Sequence, residues 1–202
     1  MKNRIIQAAE SWIGLKESDK SFKPIIETYN SYLPHPRGVT ATTKTAWCAI
    51  FISALSIKCK ATNIIPVEMS CTEQLKLFKK MGVRVKDTKN DKITIGDIVY
   101  YDWQGDKFLD HVGIVEKING NKITVIEGNY SDSVKRRTLS TNSNVIRCFV
   151  TPKYYDITTI AKTVIRGDYG NGTARKKKLT AAGYNYDVIQ QEVNNLLKKG
   201  KT

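Results

Sequence analysis

The chain has 202 residues, of which 33 are Lys or Arg and 19 are Asp or Glu, giving a formal charge of +14. That length suits one ordinary domain plus a small second one, and the charge favours a polyanion: nucleic acid, an anionic membrane or a wall bearing phosphate polymers. No apolar run approaches the roughly 20 residues that span a bilayer, and two histidines with no HExxH and no CxxC argue against a catalytic zinc site, a zinc knuckle or a thioredoxin-like motif.

The opening stretch, MKNRIIQAAESWIGLKES, predicts an amphipathic helix with Ile5, Ile6, Ala9, Trp12 and Ile13 on one face. It lacks the apolar core of a secretory signal, so the expectation is cytoplasmic synthesis and, for work outside the cell, release by another agent. A short second helix is expected in FKPIIETYNSY, and LPHPRGVTATTK reads as a loop. Next comes TAWCAIFISAL. From Ala46 to Leu55 the only polar side chain besides the thiol is Ser53, which predicts a helix buried on most sides, running to about residue 58. With Thr45 as its N-cap, Cys48 falls in the first turn. There the positive end of the helix dipole favours the thiolate. SCTEQLKLFKKMG predicts another helix, capped at Ser70 or Thr72 and stopped by Gly82, with Cys71 as a second thiol at a helix start. Cys59 and Cys148 read as core residues, and Asp87 and Asp91 in DTKND as turn residues rather than metal ligands.

The pattern then changes. ITIGDIVYYDW, DHVGIVEKI, NKITVIEGNY and NVIRCFVTP are β-rich runs separated by Gly, Asn and Asp. Helices first and strands later imply an α+β domain with an antiparallel sheet, ending near Pro152. A boundary at TPKYYD leads into residues 157–197, which read as three short helices broken at GDYGNG and AGYNYD. Residues 153–202 carry +6 of the net charge. At about 40 residues this segment lies near the lower limit for independent folding.

A thiol nucleophile needs a base within hydrogen-bond reach, and the base needs an orienting group. His111 opens one β-run and Glu127 and Asn129 close the next. A three-residue loop, Asn119, Gly120 and Asn121, pairs Ile118 with Lys122. It sets Gly113 opposite Glu127 and His111 opposite Asn129, all on one face. Gly113 then leaves room for the Glu127 side chain. A two-residue loop would put His111 and Glu127 on opposite faces. The residues alone leave Cys48 and Cys71 as rival nucleophiles.

These runs, TAWCAIFISAL, GDIVYYDW, DHVGIVEKI and ITVIEGNY, in this order, resemble the CHAP domain, the cysteine, histidine-dependent amidohydrolase/peptidase. The likeness covers residues 1–153. It implies a papain-like α+β fold, with Cys48 as nucleophile, His111 as base, Glu127 as orienter and Asn129 as an auxiliary position. Some members carry an acidic calcium loop before the cysteine; here only Glu17 and Asp19 stand there, so no cofactor is expected. Residues 157–197 resemble the CW-7 cell-wall-binding repeat of phage lysins, which implies a three-helix module for the sugar–peptide unit of peptidoglycan. Arg166, Tyr169, Asn171, Gly172 and Arg175, around the glycine-rich turn, are the ligand candidates; Tyr184 reads equally as packing or contact, and Lys176 to Lys178 as a solvated face.

The expected function is therefore that of a phage endolysin-like peptidoglycan hydrolase. It would cleave an amide of the Gram-positive wall, either as a muramoyl–alanine amidase or as a peptide endopeptidase. Peptidoglycan is the expected partner, with neither nucleic acid nor stable membrane insertion. Two alternatives remain at this level: an inactive wall-binding protein, and a basic nucleic-acid-binding protein suggested by charge alone, against which stands the lack of a helix-turn-helix, RNP signature or zinc finger.

Overall fold

The computed structural model describes residues 1–86 and 91–199. Asp87 therefore lies outside the described residues. The chain divides into two compact units, residues 3–153 and residues 154–202, the latter together with Met1 and Lys2.

In the larger unit four helices precede the sheet: α1 (Lys2–Glu10), α2 (Lys23–Asn30), α3 (Cys48–Lys58) and α4 (Cys71–Lys80). Of the face expected on the first helix, Ile5, Ile6 and Ala9 lie within α1, while Trp12 and Ile13 follow in the turn after it. Six strands follow: β1 (Val85–Lys86), β2 (Ile98–Tyr101), β3 (His111–Asn119), β4 (Lys122–Glu127), β5 (Lys135–Ser140) and β6 (Ile146–Val150). They form one antiparallel sheet in the order β1-β6-β2-β3-β4-β5. This is the α+β architecture expected from helices first and strands later.

The most apolar helix, α3, is buried from Cys48 through Ser56. Its one buried hydroxyl pair is satisfied, since Ser53 Oγ donates to the Glu68 carbonyl at 2.6 Å and Ser56 Oγ to the Ile65 carbonyl at 2.6 Å. The helix starts two residues later than expected, at Cys48. Its N-cap is Trp47, which makes no side-chain cap bond. Thr45 instead accepts a hydrogen bond from the Thr42 amide within the preceding turn, at 2.9 Å. On α4 the cap is Ser70, whose hydroxyl accepts from the Glu73 amide, and Cys71 is the first helical residue. Of the two proposed caps the serine is the one used.

The β3–β4 hairpin has an unexpected register. Asn119 pairs with Lys122, so the turn is the two-residue Gly120-Asn121, with Gly120 at φ 58°. Alone, that loop would separate His111 and Glu127 onto opposite faces. A bulge between Val115 and Lys117 restores the odd register, and Gly113 pairs with Glu127 as expected. The inserted residue, Glu116, is buried and held by Arg136 of β5 through bonds of 2.8 and 2.6 Å. Strands β1 and β5 were not foreseen. β5 (KRRTLS) has no alternating apolar face and forms the charged edge of the sheet.

The smaller unit holds α5 (Ile157–Ile165), α6 (Gly172–Ala181) and α7 (Tyr186–Lys199). Asp156 caps α5 by accepting from the Thr159 amide at 2.6 Å. Ala161, Val164, Leu179, Ile189 and Val193 form its core. Among the described residues no helix is long and apolar enough to cross a membrane.

Candidate functional site

Directly paired residues of an antiparallel ladder point to the same face. Tyr101 pairs with His111, Gly113 with Glu127 and Val125 with Arg137, and the three rows set Tyr101, His111, Glu127 and Arg137 on one face. The close approach requires Gly113: a Cβ there would lie 2.7 Å from the Glu127 Cγ and 2.5 Å from Val125 Cγ1. A second glycine locks the end of β4 to the cysteine helix. A Cβ on Gly128 would fall 2.4 Å from Phe51 Cβ and 3.1 Å from the Trp47 ring. Trp47 is itself wholly buried and donates its indole N–H to Glu17 at 2.7 Å.

Glu127 is fully buried and hydrogen-bonded on both oxygens. One lies 3.0 Å from His111 Nε2, the other accepts the Tyr101 hydroxyl at 2.7 Å, and Arg137 Nε donates to both at 3.0 Å. A carboxylate only accepts, so His111 Nε2 is the donor and Nδ1 is left for the Cys48 sulfur, its other hydrogen-bond partner. Arg137 in turn lies over the rings of Tyr130 and Trp103, at 3.9 and 4.9 Å, and Trp103 stacks on Tyr101 at 4.9 Å. Trp103 is 39% exposed and its ring centroid is 6.1 Å from that of His111, so it forms an open aromatic lip beside the imidazole.

The electrostatics follow from these contacts. The hydrogen bond shared with Cys71 is the largest influence holding the Cys48 thiol well below its ordinary range; burial opposes this, and the hydrogen bond and positive charge of His111 add to it. For His111, burial alone would depress the imidazolium. The Cys48 and Glu127 hydrogen bonds and charges outweigh burial and push it up to about 9. The arrangement therefore favours a thiolate–imidazolium pair at neutral pH. Cys71, its Sγ 3.6 Å from that of Cys48, is shifted well upward by its neighbour and by burial. Burial also raises Cys59, and pushes Cys148 up to about 11. Of the four thiols Cys48 is the one shifted toward its thiolate.

The register does not place Asn129. The β3–β4 ladder ends at the Gly113–Glu127 pair, and Asn129 lies beyond it in a left-handed conformation, φ 57°. The strand alternation that set it opposite His111 has stopped there.

Residues 40–129 match the family model of the CHAP domain, and residues 158–197 match that of the CW_7 repeat. The chain carries a CHAP domain followed by a CW_7 repeat. No curated protein matches it. Two crystal structures of Ly7917, one of them with the hydrolyzing product of MDP, align with 75% of the chain. Their identities are 19% and 16%, and their TM-scores 0.40 and 0.41. The chain spans 62% and 63% of the length of the Ly7917 chain in those two structures.

In the larger unit the sequence reading missed Tyr101, Trp103 and Arg137. Two signals pointed to them. The run VYYDW sets aromatic residues on alternate positions, and a glutamate buried in a strand requires a nearby cation, which the basic run Lys135-Arg136-Arg137 supplies. Glu17 accepts the Trp47 indole N–H at 2.7 Å, and Asp19 accepts the Ser21 amide at 3.0 Å.

In the CW_7 repeat the ligand candidates separate by environment. Arg166 is exposed and pairs with Asp168 at 3.1 Å. Arg175 is engaged on three nitrogens, donating to the Gly170 carbonyl, Gln190 Oε1 and Asn171 Oδ1 at 2.8–2.9 Å. It closes the glycine-rich turn onto α7. Asn171 and Gly172 are exposed, with Gly172 at φ 53°. Tyr169 and Tyr184 both pack against the module's core, ring centroids 6.4 Å apart. Lys176 to Lys178 are exposed.

Proposed function

We propose that the protein is a peptidoglycan hydrolase that cleaves an amide of the cell wall through a Cys48-His111-Glu127 relay. The observation that carries this reading is the buried Cys48 sulfur at a helix N-terminus, bonded to an imidazole whose far nitrogen is held by a buried carboxylate, within a CHAP domain. The CW_7 repeat supports the wall as the place of action.

The Cys48 thiolate adds to the carbonyl carbon of the scissile amide. Charge that develops on the carbonyl oxygen would fall at the N-terminus of α3, where the Cys48 amide and the positive end of the helix would stabilise it. The imidazolium of His111 then gives its proton to the departing amine, the C–N bond breaks and a thioester remains. Neutral His111 next takes a proton from water, the hydroxide equivalent adds to the thioester, and the thiolate leaves with a free acid as product. Glu127 keeps the ring oriented and its charge favourable throughout, while Arg137 and Tyr101 fix Glu127. Both the muramoyl–alanine bond and a stem or cross-bridge peptide bond fit this chemistry. Arg166, Asn171 and Gly172 would present the exposed face of the CW_7 repeat to peptidoglycan.

Lysis of Gram-positive walls by two single variants tests the assignment. Cys48→Ser should abolish lysis with an unchanged melt, while Cys71→Ser should still lyse. Exchange of these two phenotypes would overturn it.

A further inference from the structure

Cys71 enters neither the relay nor the sequence motif that carries it, yet its sulfur lies 3.6 Å from that of Cys48. Both residues are the first of their helices, α3 and α4, and each is only 6% exposed. Two helix N-termini therefore converge on one pair of sulfurs, where either would favour negative charge. The neighbours decide which sulfur carries it. Each sulfur is the largest influence on the other; His111 adds a hydrogen bond and a positive charge that favour the Cys48 thiolate, whereas burial and the Asp110 carboxylate oppose ionisation of Cys71. The proton accordingly stays on Cys71. Tyr100 on β2 also lies close enough to feel both sulfurs. The Tyr100 hydroxyl is committed, donating to Gln74 Oε1 at 3.0 Å, and cannot serve the sulfur. Cys71 is a side-chain donor within reach of the Cys48 sulfur, in addition to His111.

We propose that Cys71 is a positioning residue for the nucleophile: its S–H donates to the Cys48 sulfur and holds both the charge and the direction of the thiolate. The inference rests on the reading of Cys48 as nucleophile. A thiol is a weak donor to neutral sulfur, but a charged acceptor strengthens the bond. In the thioester the Cys48 sulfur loses its charge and the bond weakens; it returns as the thiolate is expelled by water. Cys71 therefore stabilises the resting nucleophile and the leaving group of the second step, and transfers no proton in either.

The test is the pH dependence of Cys48 alkylation by iodoacetamide in the full chain, read by peptide mass spectrometry. It requires no wall substrate. In Cys71→Ala the lower limb of the alkylation profile should move up by about 1–2 pH units, the size of one hydrogen bond to a charged group. Below the limb that is a loss of about tenfold or more in rate. Cys71→Ser keeps an O–H donor and should restore the limb to near its original position. Should the alanine variant fail to fold, Cys71→Val fills the space without a donor and takes its place. An unmoved limb in the donor-less variant overturns the proposal, as does an equal movement in the serine and donor-less variants, which would mark a packing effect. Failure of the underlying reading shows separately, as lysis that survives Cys48→Ser.

Discussion

Replacing Glu127 with glutamine removes one charge from the relay while keeping its size. In the native site Glu127 is inaccessible to solvent, 3.0 Å from His111 Nε2, and clamped by Tyr101 and Arg137. His111 stands at about 9 against an ordinary 6.5 in spite of burial, with Cys48 and Glu127 as the groups that raise it. An opposite charge at this range is worth about 1–3 pH units. The basic limb of the rate profile should therefore drop by about that much in Glu127→Gln, because the imidazolium deprotonates earlier and the leaving amine loses its acid. At a pH above the new limb, each unit of the shift is about a tenfold loss in kcat/KM. The variant also leaves Arg137, whose side chain is 24% exposed, without its counter-ion. The stability cost should fall short of the roughly 3–5 kcal/mol of a wholly buried broken pair. Initial rates on soluble muropeptides across pH, beside a thermal melt, read both effects. A basic limb unchanged from wild type would refute the claim that Glu127 sustains the imidazolium.

The wild-type rate should be bell-shaped, falling on the basic side as pH rises through about 9, where His111 loses its proton, and on the acid side where the Cys48 thiolate is protonated; a single acid limb with no fall above 9 would contradict the ion pair. Gly128→Ala should cost about 1–3 kcal/mol, since the new methyl meets Phe51 at 2.4 Å and must push α3 away; an unchanged melt would show that the strand end and the helix are not locked there. Truncation after Asp156 should keep cleavage of soluble muropeptides but lose most binding to intact walls, because attachment raises local substrate concentration without altering chemistry; a normal melt with unchanged wall pull-down would remove the targeting role. Within the CW_7 repeat, Arg166→Ala should weaken wall binding with little effect on the melt of the module, whereas Arg175→Ala should lower the melt, as it loses bonds to Gly170, Gln190 and Asn171; equal melting of the two would contradict the division of roles.

The apolar run around Cys48 made α3 legible because a helix without a polar face must be buried. Runs of β-branched and aromatic residues separated by Gly, Asn and Asp made β2, β3, β4 and β6 legible. The spacing of His111 and Glu127 identified a shared face, but through a loop that does not exist. The turn is one residue shorter than inferred, and the bulge at Glu116 supplies the missing residue. A bulge held by Arg136, twenty positions away, leaves no local trace in the strand pattern. The same limit explains β5 and Arg137: an edge strand of lysine and arginine looks like a loop until the buried carboxylate it neutralises is known. Cys71 was visible as a thiol at a helix start, but only the packing of α4 against α3 shows its sulfur beside Cys48.

The chemistry of the wall fragments tests the central claim most directly. Purified Gram-positive wall digested with the full chain, and in parallel with Cys48→Ala, should be analysed by mass spectrometry and assayed for new amine and reducing ends. The account predicts one new free amine and one new carboxyl per cut, from a single kind of amide, no new reducing sugar ends, and no products from Cys48→Ala. New reducing ends, or amide products that persist without the Cys48 sulfur, would contradict it.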